Sequence, residues 1–395
     1  MFKDEFMERC ASLLFFALLL CSCSLIDPFV IQVGEESESG YAVTSIAFSE
    51  DGQLMATTHR WMRPPSYRSS GGGAVPEFFH VTKLGEYRKD PIATLSFPRL
   101  YTQTLQFRRG TQEISLLALG RHCRWTPDSY ECQDVSRELY ELSPDGNYAA
   151  GNFENLENPH ESKGVYAFDL DQEKIVAELP RAANAICFSN DGEILVTNSR
   201  MSKNSELRAM QLWDWRSRRL LRQIPLSEFD GSHLTFFSPN SRQLLVHRFD
   251  KQQLELYSVE DGRVESALQY PEGFQCLSIA FSLDGNRVAA SGYHGVSDEE
   301  ESGIIYVWDV ANGRVLESIP DKSQWAILSV AFTPNGKYIA AGMPNGEIKF
   351  WRDEWVDWPV RVAGDEELPS PLAASTGLME EVSPNRREGE RSRRP

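Results

Sequence analysis

A chain of 395 residues with 41% hydrophobic and 11% aromatic residues has ample material for a buried core, which excludes disorder throughout. Its formal net charge of −17 argues against a nucleic-acid surface built on phosphate neutralisation. Length alone allows two domains, so the internal pattern has to decide between one and two.

The N-terminus reads as a targeting segment. Ala11 to Leu20, ASLLFFALLL, is an apolar core of ten residues. The sequence that follows, Leu20-Cys21-Ser22-Cys23, resembles a bacterial lipobox, in which cleavage precedes a lipid-modified cysteine. That resemblance implies a signal peptide over 1–22 and Cys23 as the acylated mature N-terminus. Asp4, Glu5 and Glu8 outweigh Lys3 and Arg9, which points to Met7 as the initiator. Cys10 to Ile26 is seventeen uncharged residues, a marginal span, so an uncleaved anchor is the second reading. Both place the remaining chain on a membrane surface of the cell envelope, facing the periplasm or the exterior. Residues 23–40 form the tether and contain a short candidate strand, Phe29 to Val33.

From residue 41 a motif recurs. SIAFSEDG (45–52), AICFSNDG (185–192), SIAFSLDG (278–285) and SVAFTPNG (329–336) are close copies. TLQFRRGT (104–111), LYELSPDG (139–146) and LTFFSPNS (234–241) are looser ones. Successive gaps between Phe48, Phe107, Leu142, Phe188, Phe237, Phe281 and Phe332 are 59, 35, 46, 49, 44 and 51 residues. A period in the mid-forties is the signature of a propeller. Each copy starts with an apolar run that reads as a strand. Asp-Gly or Asn-Gly then supplies the positive φ of a tight turn. A second strand of small residues follows (Ala289-Ala290-Ser291, Ala340-Ala341-Gly342), then a third that ends on an aromatic, then a fourth. Such sheets cannot bury both faces alone, and radial stacking solves that. Seven copies predict an all-β, seven-bladed propeller of four-stranded antiparallel blades over 41–363. Blade 2 is expected to be irregular, because 35 residues barely hold four strands.

The pairs Trp213-Asp214 and Trp308-Asp309, each downstream of a Ser-x-Asp-Gly turn, resemble the WD40-repeat β-propeller family over roughly 41–355. The resemblance implies a closed, monomeric ring in which a strand from one end of the chain completes the blade made by the other. Phe29 to Val33 is preferred for that slot, with Pro359 to Ala363 as its competitor. From Gly364 to Pro395 the composition turns to Pro, Ser, Glu and Arg, which predicts a disordered tail.

Cys187 and Cys276 fall in first strands and read as buried thiols. Cys123 and Cys132 bracket a hairpin, CRWTPDSYEC, and are the candidate disulfide for an exported chain. His122 with two thiols is too few ligands for zinc, and no metal or cofactor is expected.

The turns between first and second strands and between third and fourth strands are mostly tight, as in SPDG, SNDG, SLDG, TPNG, VEDGR and VANGR. The long insertions of blades 1, 3, 4 and 6 all fall between second and third strands, so they gather on one rim. Loops on a rigid scaffold carry function. The blade 1 loop offers Arg60, Trp61, Arg63, Tyr67 and Arg68, residue types enriched at binding hot spots. Arg124 and Trp125 join them if the blade 2 hairpin points the same way. Acidic residues at Glu154, Glu157, Glu161 and Asp298–Glu301 make the rim bipolar, which suits a polypeptide partner.

The seven histidines are scattered, and Gly71-Gly72-Gly73 lacks the strand-to-helix setting of a phosphate loop. Glu141 is the odd charge in a first strand. It either pairs with an arginine between blades or faces the channel as a functional carboxylate. The leading expectation is therefore a membrane-tethered, non-enzymatic scaffold with a protein partner. The alternatives are an extracytoplasmic propeller enzyme, lactonase-like or a dehydrogenase, and a carbohydrate- or cell-wall-binding propeller using exposed aromatics such as Trp61 and Trp125.

Overall fold

The computed structural model of the chain describes residues 29–32, 41–61, 77–83, 93–97, 102–118, 120–136, 138–153, 164–180, 182–199, 208–226, 234–295, 302–321 and 325–352. The segment with Cys23, the insertions at 62–76, 154–163 and 296–301, and the tail from 353 lie outside them. No helix among the described residues is long and apolar enough to cross a membrane.

Strand formation starts from one repeated turn. Ser49 Oγ donates to Asp51 Oδ1 at 2.6 Å and accepts the Leu54 N–H at 2.8 Å, while Asp51 also accepts the Gln53 N–H at 3.0 Å. Gly52 sits at φ 69° to close the loop. The same hydroxyl-to-Asx arrangement recurs at Ser143–Asp145, Ser189–Asp191, Ser238–Asn240, Ser282–Asp284 and Thr333–Asn335. At the Ser238–Asn240 turn Ser241 takes the left-handed position at φ 59°.

Between these turns run antiparallel meanders. The first comprises β2 (Tyr41–Phe48), β3 (Leu54–Trp61), β4 (Glu77–Lys83) and β5 (Ala93–Phe97). The second comprises β6 (Thr102–Phe107), β7 (Ile114–Ala118), β8 (Arg121–Trp125) and β9 (Tyr130–Asp134). The third comprises β10 (Leu139–Leu142), β11 (Tyr148–Asn152), β12 (Val165–Asp169) and β13 (Lys174–Leu179). The fourth comprises β14 (Ala182–Phe188), β15 (Ile194–Ser199), β16 (Arg208–Asp214) and β17 (Arg219–Leu226). The fifth comprises β18 (Thr235–Phe237), β19 (Gln243–Arg248), β20 (Gln253–Ser258) and β21 (Val264–Gln269). The sixth comprises β22 (Phe274–Phe281), β23 (Arg287–His294), β24 (Ser302–Asp309) and β25 (Val315–Pro320). The last sheet joins β26 (Ser329–Phe332), β27 (Tyr338–Gly342) and β28 (Glu347–Arg352) to β1 (Phe29–Gln32).

The expectation of seven like blades is therefore corrected. The chain builds six contiguous four-stranded blades, and its last three strands form a composite sheet completed by β1. The reason is an edge: β28 would end the chain's last sheet with an open ladder, and β1 pairs with it from Phe29↔Phe350 to Gln32↔Glu347. The expected irregularity of blade 2 is also corrected. β6 to β9 pair fully, because the β7–β8 connection is only residues 119–120 and the β8–β9 turn only 126–129.

Apolar clusters shared by neighbouring sheets hold the ring. Trp213 and Trp215 pack with Ala150, Val165 and Leu179 between blades 3 and 4. Trp308 packs with Leu245, Leu256 and Phe274 between blades 5 and 6. At the closure Val43 and Met55 pack with Ala340, Ile348 and Phe350, and the Val43 N–H donates to the Met343 carbonyl at 3.0 Å. Fully burying side chains of this size is worth roughly 1.5–3 kcal/mol each. Neighbouring sheets meet through their first strands, so those strands line the axis.

Candidate functional site

Strand direction sorts the residues onto two faces. First-to-second and third-to-fourth turns lie on one face; second-to-third loops and the connections between blades lie on the other. The insertions at 62–76, 154–163, 200–207 and 296–301 all leave from the ends of second strands, so their attachment points share the second face.

Arg60 lies there, exposed at the end of β3. Trp61 ends that strand, and Arg63, Tyr67 and Arg68 fall outside the described residues. Trp125 does not join them. It ends the third strand of blade 2, on the opposite face, and packs with Leu54, Ala56, Ile114 and Leu116 at 7% exposure. The reason is that a β8–β9 hairpin is a third-to-fourth turn. Arg124 bonds Asp171 at 2.7 Å on the same side as Trp125.

Two aromatics that the sequence reading did not single out stand out on the loop-bearing face. Phe249 is 55% exposed in a single 3-10 turn between β19 and β20, and Trp325 is 56% exposed in the connection from β25 to β26. Their signal in the sequence was their place in connections of that face. The Phe249 turn stands on a buried polar network. Arg248 donates to Asp250 at 3.0 and 2.9 Å and to Glu255 at 2.8 Å. Glu255 also accepts from Lys251 (2.7 Å), Gln253 (2.7 Å) and Tyr257 (2.5 Å). Burial pulls the Glu255 carboxyl up, but the bonds from Lys251 and Tyr257 and the Arg248 charge outweigh it, leaving it below its usual range. Burial and the same carboxylate push Tyr257 up to about 12. Side chains so bonded present Phe249 at low entropic cost. Behind it the rings of His247, Tyr270, Phe274 and His294 follow one another at centroid spacings of 5.3–6.0 Å.

At the axis, Glu141 has no hydrogen bond or ion pair among the described residues, so the inter-blade arginine partner is absent there. Desolvation pushes its carboxyl up to about 8, so it is largely protonated at neutral pH. In the next blade Cys187 sits at the equivalent position; burial, and then Glu141, push its thiol up, which makes it a poor nucleophile. His122 is buried, bonds Ser115 Oγ at 2.8 Å, and is driven down to about 4 by burial and then by Arg124. No group of three His, Cys, Asp or Glu side chains able to hold a metal occurs among the described residues. Cys123 and Cys132 face each other across β8 and β9 and are disulfide-bonded, with Cα atoms 4.1 Å apart.

Residues 313–352 match the WD domain, G-beta repeat family. The match covers β25 to β28, so the sequence unit is offset by one strand from the blade. That offset is the one that leaves β1 to complete the final sheet. The U3 small nucleolar RNA-associated protein 18 homolog of Mus musculus is 31% identical over 72 residues, which is 17% of this chain and 13% of that protein. Both findings support a WD40-type repeat within this propeller.

Proposed function

We propose that this chain is a non-enzymatic propeller scaffold that binds a polypeptide partner through its loop-bearing face. The observation that carries this is the convergence on one face of four long connections, Arg60, and the exposed Phe249 and Trp325. Exposed aromatics on a rigid base, with charged residues around them, are the anatomy of a hot spot and its rim. WD40-type propellers serve such roles, and burial pushes the free thiols of Cys187 and Cys276 up, away from the reactive thiolate.

The finer reading adds a tether: lipid on Cys23, holding the ring at the cell envelope. In support, β1 runs antiparallel to β28, so the chain enters β1 on the tight-turn face. An anchor there would leave the loop-bearing face pointing away from the bilayer. Crosslinked pull-down from intact cells tests the scaffold. Phe249→Ala/Trp325→Ala and a deletion of 62–76 should each deplete the partner recovered with wild type; an unchanged partner set from both contradicts it.

A further inference from the structure

The exposed outer residues of the tight-turn rim follow a pattern. In blades 3 to 6 a cation followed by a branched aliphatic stands at the start of the fourth strand, the cation inside the strand at Lys174-Ile175 and Arg219-Leu220 and just before it at Arg263-Val264 and Arg314-Val315. Each aliphatic pairs in register with the aromatic that ends the third strand: Phe168, Trp213, Tyr257 and Trp308. Each is nonetheless 37–48% exposed. The same register in equivalent blades places these four residues at corresponding positions on the tight-turn rim.

Blade 4 concentrates the pattern. Residues 215–222, WRSRRLLR, carry four arginines and no acid in a chain of net charge −17. A bulge between Leu212 and Trp213 leaves Leu221 as well as Leu220 outward, at 39% and 37% exposure. The Arg216 guanidinium carbon lies over the Trp215 ring, 4.3 Å from its centroid. The nearby acids are turned to the backbone: Asp214 accepts the Ser217 N–H at 3.1 Å and Asp261 the Arg263 N–H at 3.1 Å. Arg222 bonds the carbonyls of Glu260 and Asp261, so its charge stays available. Asp171, Glu173 and Glu260 lie in the neighbouring turns of blades 3 and 5, with Asp171 paired to Arg124, and Glu193 lies in the first-to-second turn of blade 4.

We propose that this rim, centred on Arg216, Arg218, Arg219, Leu220, Leu221 and Arg222, docks on an anionic lipid bilayer. Arginines at headgroup level with leucines reaching the acyl boundary are the chemistry of an interfacial contact, and each cation near such a surface is worth about 1 kcal/mol. The proposal rests on the tether reading only for delivery of this face to the membrane.

The test uses the full chain with a photo-crosslinking residue placed at Leu221 or, on the opposite face, at Phe249. It is read on vesicles of phosphatidylcholine alone or mixed with phosphatidylglycerol. Lipid adducts should form from position 221 and not from 249. They should fall roughly tenfold or more in phosphatidylcholine alone and in Arg218→Glu/Arg219→Glu. That variant is exposed and should melt as wild type does. Equal adducts from both positions, no adducts from 221, or adducts indifferent to anionic lipid would each overturn the proposal. Efficient competition by soluble poly-glutamate would assign the patch to an acidic polypeptide and overturn it as well. Mass spectrometry of Cys23 tests the tether separately, since an unacylated chain can still be read on added vesicles.

Discussion

The two faces of the ring differ in how their connections are made. On the tight-turn face nearly every blade repeats one hydrogen-bonded loop, Ser or Thr to Asp or Asn, with a glycine or Ser241 at positive φ. On the other face no two connections are alike. They range from the two residues at 119–120 to the insertion at 62–76. The lesson is that repetition marks what folding requires, and variation marks what folding leaves free for recognition. Blade 5 shows both at once, since its loop-bearing end holds a buried charge network while its opposite end keeps the repeated turn.

The comparison can be sharpened most by breaking that network. Arg248→Ala should destabilise the ring by about 3 kcal/mol in urea titration, because Glu255 loses its buried guanidinium and keeps only Lys251, Gln253 and Tyr257. Arg248→Met/Glu255→Leu should recover most of that loss while altering the Phe249 turn. Next in size is Gly292→Ala. A Cβ there would collide with the Gln275 carbonyl of the adjoining strand, and a cost of about 3 kcal/mol is expected by the same titration. Cys123→Ser/Cys132→Ser should cost roughly 2–3 kcal/mol, seen as a midpoint shift that reducing agent reproduces in wild type. On the repeated face, Ser241→Gly should change stability by less than about 1 kcal/mol, because relief of the left-handed strain is offset by the loss of the bond its Oγ accepts from the Asp191 N–H.

Two titrations should run in opposite directions. Glu141 holds its proton in the folded chain up to about 8, above its unfolded value of 4.5. Its stabilisation is complete below 4.5 and is lost as pH rises towards 8. Glu141→Gln should therefore gain thermal stability over wild type between pH 5 and 8. His122 titrates at about 4 when folded and 6.5 when unfolded, so its contribution is present above 6.5 and lost as pH falls to 4. His122→Gln should flatten the acid limb of the same Tm profile, and an unchanged limb would show that another group causes it.

Much of this architecture was legible because the turn motif is chemical as well as statistical. SIAFSLDG names the hydroxyl, the carboxylate and the glycine that make the turn. Blade 2 was hard to read because Arg108 replaces the serine. Its guanidinium bonds Glu113 at 2.8 Å, Asn147 at 2.8 Å and the Asp145 carbonyl at 2.6 Å, so a different side chain closes an equivalent loop. The composite final sheet has no local signal in β26 to β28 for its fourth strand, but the preference for Phe29 to Val33 in that slot is met by β1. At the candidate site, Trp125 misled because its residue type suits recognition while its strand end places it in the core. Phe249 and Trp325 were missed because exposure is a property of packing that loop sequence does not encode. The arginines of 215–222 were hidden by a net charge that sums over the whole chain.

Lysine crosslinking mass spectrometry on the chain with its captured partner bears most directly on the division of labour between the faces. Lys251, beside Phe249, reports the loop-bearing face, and Lys174 and Lys337 report the tight turns. Partner crosslinks should concentrate at Lys251 and be lost in Phe249→Ala/Trp325→Ala. Crosslinks concentrated at Lys174 and Lys337 would contradict the account.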